Sequence, residues 1–115
     1  MKDAEITLDQ LKALVESFVA ERDWAQFHNP KNLSMALAIE AGELMDLFKW
    51  MTPAECEQKM STDGIRSEAK DELADVLIYA IAFANRNEID ISVAVRDKLE
   101  KNKQKYPIDK FRGHF

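Results

Sequence analysis

Apolar positions recur every three or four residues along most of the chain, and this spacing predicts an all-α protein. Thr7 and Gln10 have the spacing of a capping box, so the first helix is predicted to start at Thr7. It should end near residues 22–24, because Asn29-Pro30 is typical of a loop. A second helix is predicted from a cap at Asn32 to about residue 50.

The second half of the chain predicts one short helix and two long ones. Thr52 followed by Pro53 is typical of a helix start, and this short helix should end by residues 61–64. A long helix is predicted over roughly residues 67–87. Asp90 or Ser92 should cap a last helix that runs to Tyr106 and is stopped by Pro107. Residues 108–115 show no helical period.

The length of the chain predicts a single domain over residues 1–115, and its helices predict a four-helix-bundle-like fold. Few glycines and prolines interrupt the periodic stretches, which disfavours a sheet of many short strands. A small bundle often gains core by pairing with a copy of itself, so a homo-oligomer is expected on size alone.

Charge and composition exclude several classes of partner. The net charge is −5 at pH 7, which argues against a nucleic-acid polymer. The longest apolar run, residues 76–84, is far shorter than the roughly 20 residues that span a bilayer, and no apolar signal segment follows Met1. Cys56 is the only cysteine, so neither an internal disulfide nor a cysteine metal site can form. We therefore expect a cytoplasmic protein without a membrane partner.

Carboxylates interrupt the apolar stripes of two predicted helices. Glu40 falls within the stripe of the second helix and Glu43 lies at its edge, while Glu72 and Asp75 repeat this pattern on the next long helix. Residues three apart lie about 4.5 Å apart along a helix axis and about 60° around it. Two such pairs on facing antiparallel helices would bring four carboxylates into one small volume.

Such a cluster favours a hard cation. Buried carboxylates are costly unless they are paired or bind a metal, and their mutual repulsion raises their pKa values. Oxygen ligands suit Mg²⁺, with Mn²⁺ as an alternative. A single Glu-x-x-Glu pair is most often solvated surface, which is the ordinary explanation. A di-iron bundle needs Glu-x-x-His motifs, and neither His28 nor His114 follows a glutamate by three residues.

A polar column follows one side of the last predicted helix. Lys98, Asn102 and Tyr106 are spaced four residues apart, so they share a face and could contact phosphate and sugar. On pattern alone, a helix edge with an extended lysine and a half-buried tyrosine is the more common explanation.

Aromatic side chains flank the second helix. Trp24, Phe27, His28 and Trp50 could stack on a nucleotide base. Packing at the end of the bundle would explain the same residues, because tryptophan is usually well buried.

Two acidic motifs resemble those of a known family. Glu-Ala-Gly-Glu-Leu at 40–44 and Asp-Glu-Leu-Ala-Asp-Val-Leu-Ile-Tyr at 71–79 resemble the MazG-type all-α nucleotide pyrophosphohydrolases. The segments 21–28, 30–33, 48–50 and 98–107 are similar to the dCTP pyrophosphatase branch in particular. The resemblance covers nearly the whole chain. Ile39 stands where the broader pattern often has a glutamate, which leaves the number of bound metal ions open.

The resemblance implies a function and a role for each candidate residue. The reaction would convert a nucleoside triphosphate, with dCTP or a modified dCTP preferred, to monophosphate and pyrophosphate, and would clear unwanted nucleotides. Family members form dimers or tetramers with the site between subunits. The implied metal ligands are Glu40, Glu43, Glu72 and Asp75, and Glu43 is our hypothesis for the general base. The implied nucleotide contacts are Trp24, His28 and Trp50 at the base, Tyr79 at the sugar, and Lys98, Asn102 and Tyr106 at phosphate and sugar.

Two other classes of function stay open at this point. The chain could be a catalytically silent helical assembly module whose acids line a polar seam. It could also bind nucleotides as a sensor without hydrolysing them. The sequence does not decide the preferred base, the tolerance of ribose, or dimer against tetramer.

Overall fold

The computed structural model describes residues 1–114, and this part of the chain is helical, without strands. It contains six α-helices and one 3₁₀ turn at Ala25–Phe27. The helices are α1 (Leu8–Glu21), α2 (Pro30–Asp46), α3 (Pro53–Met60), α4 (Asp63–Arg86), α5 (Ile91–Lys105) and α6 (Ile108–Phe111). The all-α prediction is therefore confirmed.

Helix α1 begins with the predicted capping box. The Thr7 hydroxyl accepts a hydrogen bond from the Gln10 backbone N–H at 3.1 Å, and the Gln10 side-chain carbonyl accepts one from the Thr7 N–H at 2.8 Å. Two N–H groups at the helix start are thereby satisfied. After Glu21 the chain reverses through Asp23, whose φ of 53° lies in the left-handed region.

Helix α2 begins three residues before the predicted position, so the prediction of Asn32 as its cap was wrong. The Asn29 side chain accepts a hydrogen bond from the Asn32 N–H at 2.9 Å, and Pro30 takes the first helical position. Proline fits there because the missing N–H would have no partner within the helix. The helix also ends earlier than predicted, at Asp46, and residues 47–50 form a turn.

The remaining boundaries follow the predicted caps with two differences. Thr52 caps α3 and Asp90 caps α5, each by accepting a hydrogen bond from a backbone N–H three residues on. Helix α4 starts at Asp63, about one turn before the predicted residue 67. Residues 108–111 form a single helical turn that the apolar pattern did not predict. Phe115, the last residue of the predicted irregular tail, lies outside the described residues.

Helices α2 and α4 pack along each other, and α1 and α3 also pack against α4. The centre of this packing is small, and Leu33 is its most buried side chain, at 1% exposure. The buried cluster consists of Val15, Leu33, Ile81 and Ala82, with Tyr79, Phe83 and Ile91 packed against it. The antiparallel contact of α2 and α4 is what places the two acidic motifs opposite each other.

Helix α5 extends away from this core. Its first residue, Ile91, packs against the core. Two residues earlier, the Ile89 carbonyl accepts a hydrogen bond of 3.0 Å from the Lys12 ammonium. Val95 and Leu99, two apolar residues of α5, are 52% and 53% exposed. The radius of gyration is 17.1 Å, against about 13 Å for a compact domain of this length. The single chain therefore leaves apolar surface uncovered.

Across residues 1–114, none of the helices combines the length and the apolar character that a membrane crossing requires.

Candidate active site

The structure brings three of the predicted acidic side chains together. Glu40 and Glu43 lie on α2, Glu72 lies on α4, and one carboxylate oxygen from each lies within 4.8 Å of the other two. We call these three residues the acidic cluster. The spacing of three residues on α2 places Glu40 and Glu43 on one face, and the packing of α4 on that face adds Glu72.

Two oxygens of the acidic cluster are buried without a hydrogen-bond donor. The Oε2 atoms of Glu40 and Glu72 have no partner among the residues that the structure describes. Burial, followed by the neighbouring Glu43 carboxyl and the negative charge of Asp75, raises the pKa of Glu40 to about 7. Burial and the Glu43 carboxyl also raise the pKa of Glu72. Buried polar atoms normally have partners, so this cluster fits a bound cation.

The donor set also fits a particular kind of cation. All of the ligand atoms are carboxylate oxygens, which Mg²⁺ and Mn²⁺ prefer over nitrogen or sulfur. Asp75 lies outside the tight group, one turn after Glu72, and lines a cavity together with Glu40. Its negative charge raises the pKa of both Glu40 and Glu72, so Asp75 lies near the acidic cluster without being part of it.

An aromatic cavity adjoins the acidic cluster. Its volume is about 200 Å³, with Glu40 and Asp75 in its lining and Phe18, Val19, Trp24, His28, Ile78, Tyr79 and Ala82 forming the rest. A second cavity of about 260 Å³ shares Trp24, His28 and Tyr79 with the first. The structure thus brings these three predicted nucleotide contacts next to two of the predicted metal ligands. One end of the site is anionic and the other is aromatic.

Residues 24–28, which we call the aromatic wall, are held by the turn after α1. The Trp24 N–H donates to the Val19 carbonyl at 3.1 Å, and its ring packs edge-to-face on Phe18 with centroids 5.7 Å apart. The Gln26 amide donates to the Asp23 carbonyl at 3.0 Å. Asp23 has the left-handed conformation in the turn that leads into the wall, and Trp24 and His28 of the wall line the cavity.

Four predicted nucleotide contacts do not line either aromatic cavity of the single chain. Trp50 follows α2 in an exposed turn, where 88% of its surface is accessible and the Lys49 ammonium lies 5.5 Å from its ring centroid. Lys98, Asn102 and Tyr106 lie on or directly after α5, which makes few contacts with α2 or α4. The Tyr106 ring packs edge-to-face on Phe111 instead, at 5.2 Å.

Sequence reasoning missed four apolar residues of the cavity. Phe18, Val19, Ile78 and Ala82 lie in its lining, and none of them was predicted to belong to the site. Phe18 belongs to the apolar stripe of α1, where its spacing is the same as that of a core residue such as Val15. Only the relative placement of α1 and α4 separates the two roles, and helical periodicity carries no information about it.

Comparison with known proteins connects this site to a family. The model of the MazG-like family matches residues 35–114, which include all four predicted metal ligands and α5. The chain belongs to the MazG-like family. The resemblance found in the two acidic motifs is thereby confirmed.

Similar proteins cover more of the chain. dCTP pyrophosphatase 1 of Rattus norvegicus is 44% identical over 109 residues, which are 95% of this chain and 64% of that protein. The Homo sapiens protein of the same name is 44% identical over 103 residues, or 90% of this chain and 61% of that one. The MazG-like chain thus spans less than two thirds of the length of these curated relatives.

A solved structure shares the fold of this MazG-like chain. A pyrophosphatase from Archaeoglobus fulgidus superimposes with a TM-score of 0.81 and is 35% identical. The match covers 87% of this chain and 92% of the archaeal one. The helical arrangement that places α2 against α4 is therefore shared with a protein of about the same length.

Proposed function

We propose that this MazG-like chain hydrolyses nucleoside triphosphates, with dCTP or a modified dCTP preferred, to a monophosphate and pyrophosphate. The observation that carries the proposal is the pair of buried, unpartnered oxygens on Glu40 and Glu72 beside an aromatic cavity. The names of the similar proteins, dCTP pyrophosphatase 1 and a pyrophosphatase, support the same reaction. The biological role would be removal of unwanted nucleotides from the pool.

Glu40, Glu43, Glu72 and Asp75 would hold Mg²⁺, with Mn²⁺ as an alternative. A divalent cation bound there would neutralise charge on the triphosphate and on the departing pyrophosphate. The fit rests on the carboxylate donor set and on the two buried oxygens that lack a partner.

We assign the role of general base to Glu43. It is the exposed member of the acidic cluster, so a water molecule can reach its carboxylate. As the water oxygen bonds to the α-phosphorus, Glu43 takes a proton from it. The bond between the α-phosphorus and the bridging oxygen breaks, and its electron pair leaves with pyrophosphate. Asp75 and Glu40 line the cavity in which this step would take place.

The aromatic cavity would receive the nucleoside. Trp24 offers a flat face for the base, His28 offers ring nitrogens for its polar edge, and Tyr79 lies near the acidic end, where the sugar would sit. A pocket with a few polar groups in an apolar lining is the usual form of a small-molecule site.

A second copy of the chain would complete the site. We propose a homodimer or homotetramer in which Lys98, Asn102 and Tyr106 of one copy, and Trp50, meet the nucleotide bound to another. The large radius of gyration, the half-exposed Leu73 and Leu77 on α4, and the uncovered face of α5 support this assembly. The cytoplasmic location stays a prediction.

Phosphorus NMR of each deoxynucleoside triphosphate tests the proposed function. Incubation with protein and Mg²⁺ should give monophosphate and pyrophosphate, and EDTA should prevent this. Glu72→Gln should lower kcat at least about 100-fold, because metal-ion catalysis contributes several kcal/mol. Glu68→Gln, at an exposed glutamate one turn earlier on α4, is the matched control and should stay active. Diphosphate and orthophosphate as products would contradict the proposal. If triphosphate raises the Tm but is not hydrolysed, the chain is a nucleotide sensor. If triphosphate does not bind at all, the chain is an assembly module.

A further inference from the structure

A long side chain from the end of α4 reaches the aromatic wall. The Arg86 Nε–H donates a hydrogen bond of 2.9 Å to the backbone carbonyl of His28, which lies 58 residues earlier in the chain. Arg86 occupies the last turn of the same helix that carries Glu72, Asp75 and Tyr79. This hydrogen bond therefore connects the aromatic side of the site directly to the helix that supplies its acids.

The preceding carbonyl of the wall is held from the other acidic helix. The Asn32 side-chain amide, in the first turn of α2, donates to the Phe27 carbonyl at 3.0 Å. Two successive carbonyls of the wall are thus fixed by side chains from α2 and α4, the two helices that form the acidic cluster. The other hydrogen bonds of the wall are local, such as that from the His28 N–H to the Ala25 carbonyl at 3.1 Å.

The charge of Arg86 is directed at this carbonyl. Among residues 1–114, no carboxylate lies within ion-pair distance of its guanidinium; the three ion pairs in this part of the chain involve Arg22, Lys49 and Lys103. A hydrogen bond from a charged donor is about twice as strong as one between neutral groups. The position in the last turn of α4 also suits a cation. Arg86 is exposed, so this contact lies at the protein surface.

Behind the wall, the same residues enclose a small cavity. It has a volume of about 50 Å³, and Arg86 and His28 line it together with Val15, Glu16 and Ala82 among others. Because His28 has open space behind it, packing alone does not fix its distance from the acidic cluster. The hydrogen bond from Arg86 supplies the constraint that packing leaves out.

We propose that Arg86 is a positioning residue that sets His28 and the aromatic wall at the distance from the acidic cluster at which a nucleotide base is selected. Arg86 would not touch the substrate. This inference rests on the proposed function, because it concerns how the same site binds its nucleotide.

Steady-state kinetics of two Arg86 variants test this role. Arg86→Met keeps the aliphatic stem but removes the donor, whereas Arg86→Lys keeps a charged donor. Arg66→Met, near the start of α4 and exposed, is the matched control. We expect Arg86→Met to raise the KM for the preferred triphosphate about tenfold, to leave kcat within about threefold, and to reduce discrimination among the four bases. Arg86→Lys should recover most of the loss, and Arg66→Met should behave as wild type.

Two results would overturn the inference. One is an unchanged KM and unchanged base discrimination in Arg86→Met. The other is that Arg86→Lys is as impaired as Arg86→Met and that Tm and kcat fall together in both variants. That pattern would show that Arg86 is needed only for folding.

Isothermal titration calorimetry separates this inference from the proposed function. It measures the Kd for the triphosphate with Trp50, a proposed base contact, left intact. If the wild-type chain binds triphosphate without hydrolysing it, the proposed function fails. A tenfold higher Kd for Arg86→Met would then still support the role of Arg86, and an equal Kd would refute it. Absence of any binding would refute both.

Discussion

At the scale of single residues, Glu40 links the fold to the proposed chemistry. Its position in the apolar stripe of α2 places one carboxylate oxygen in a buried site without a donor. Burial and neighbouring carboxylates raise its pKa to about 7, and the pKa of Glu72 is raised for the same reasons. The metal-free protein therefore carries an electrostatic strain that a cation would relieve.

This strain predicts how stability depends on pH. Between the usual glutamate pKa of 4.5 and about 7, the folded chain holds a proton on Glu40 that the unfolded chain has released. The free energy of unfolding of the metal-free protein should therefore fall as the pH rises through this window. We expect a Tm a few degrees higher at pH 5.5 than at pH 8, measured by thermal unfolding in EDTA.

Glu40→Gln and Mg²⁺ provide the controls for that measurement. The glutamine variant should flatten the pH dependence, whereas Glu68→Gln, at an exposed position of α4, should retain it. Mg²⁺ should raise the Tm more at pH 8 than at pH 5.5, because protons compete for the same oxygens. A wild-type Tm that rises with pH in EDTA would contradict this account of Glu40.

At the scale of helices, the start of α2 determines where the aromatic wall ends. Asn29 caps the helix through its side chain, while the Asn32 side-chain amide donates a hydrogen bond to the Phe27 carbonyl. The two asparagines are three residues apart and have different roles. Capping fixes the first turn of α2, and the wall leads directly into it.

The cap assignment can be tested by two substitutions. Asn29→Ala should lower the free energy of unfolding by about 1 kcal/mol, because the Asn32 N–H loses its acceptor. Asn29→Asp should retain most of the stability, since aspartate caps as well as asparagine. Urea unfolding followed by helical circular dichroism measures both. Equal losses in the two variants would show that the cap is not at Asn29.

Most of the helix boundaries were predictable from the sequence, and the exceptions have physical reasons. The capping box at Thr7 and Gln10 and the cap at Thr52 depend on contacts within one turn, so local spacing was enough. The start of α2 was missed because Asn29-Pro30 suits both a loop and a helix start. The stripe of α5 has helical period, but period does not say which surface covers it, and Val95 and Leu99 stay half exposed in one chain.

The candidate site was predictable to a similar extent. Glu40, Glu43 and Glu72 were identified from their positions at the apolar stripes, and the packing of α2 on α4 brings them into one cluster. The roles of Trp24, His28 and Tyr79 came from the resemblance to a family, and the structure brings them to one cavity. Arg86 was not identified, because a side chain that binds a distant backbone carbonyl leaves no periodic signal in the sequence.

At the scale of the whole molecule, the single chain is extended and leaves apolar residues of α5 uncovered. Its site contains acids and aromatic residues, whereas Lys98 and Asn102 lie on a helix that makes few contacts with the rest of the chain. A homo-oligomer would cover α5 and bring the positively charged Lys98 side chain of one copy to the triphosphate bound to another. Light scattering should therefore give a mass of two or four times the chain mass of 13.2 kDa.

A shared site predicts complementation between two inactive variants. Glu72→Gln damages the acidic side and Lys98→Met damages the α5 side. If these sides come from different copies, a mixed dimer holds one doubly damaged site and one intact site. Unfolding and refolding an equal mixture should restore about a quarter of wild-type activity, since about half of the dimers are mixed. No recovery, with mixed oligomers shown to form by mass spectrometry, would place both sides in one chain.

The position of bond cleavage tests the central claim most directly. The wild-type protein, with Mg²⁺ and dCTP, is incubated in water labelled with ¹⁸O, and the products are analysed by mass spectrometry. Attack at the α-phosphorus, as the site would direct it, predicts one labelled oxygen in dCMP and none in pyrophosphate. Label in pyrophosphate would mean attack at the β-phosphorus, and label in orthophosphate would mean loss of the γ-phosphate. Either of these results would contradict the reaction proposed for this site.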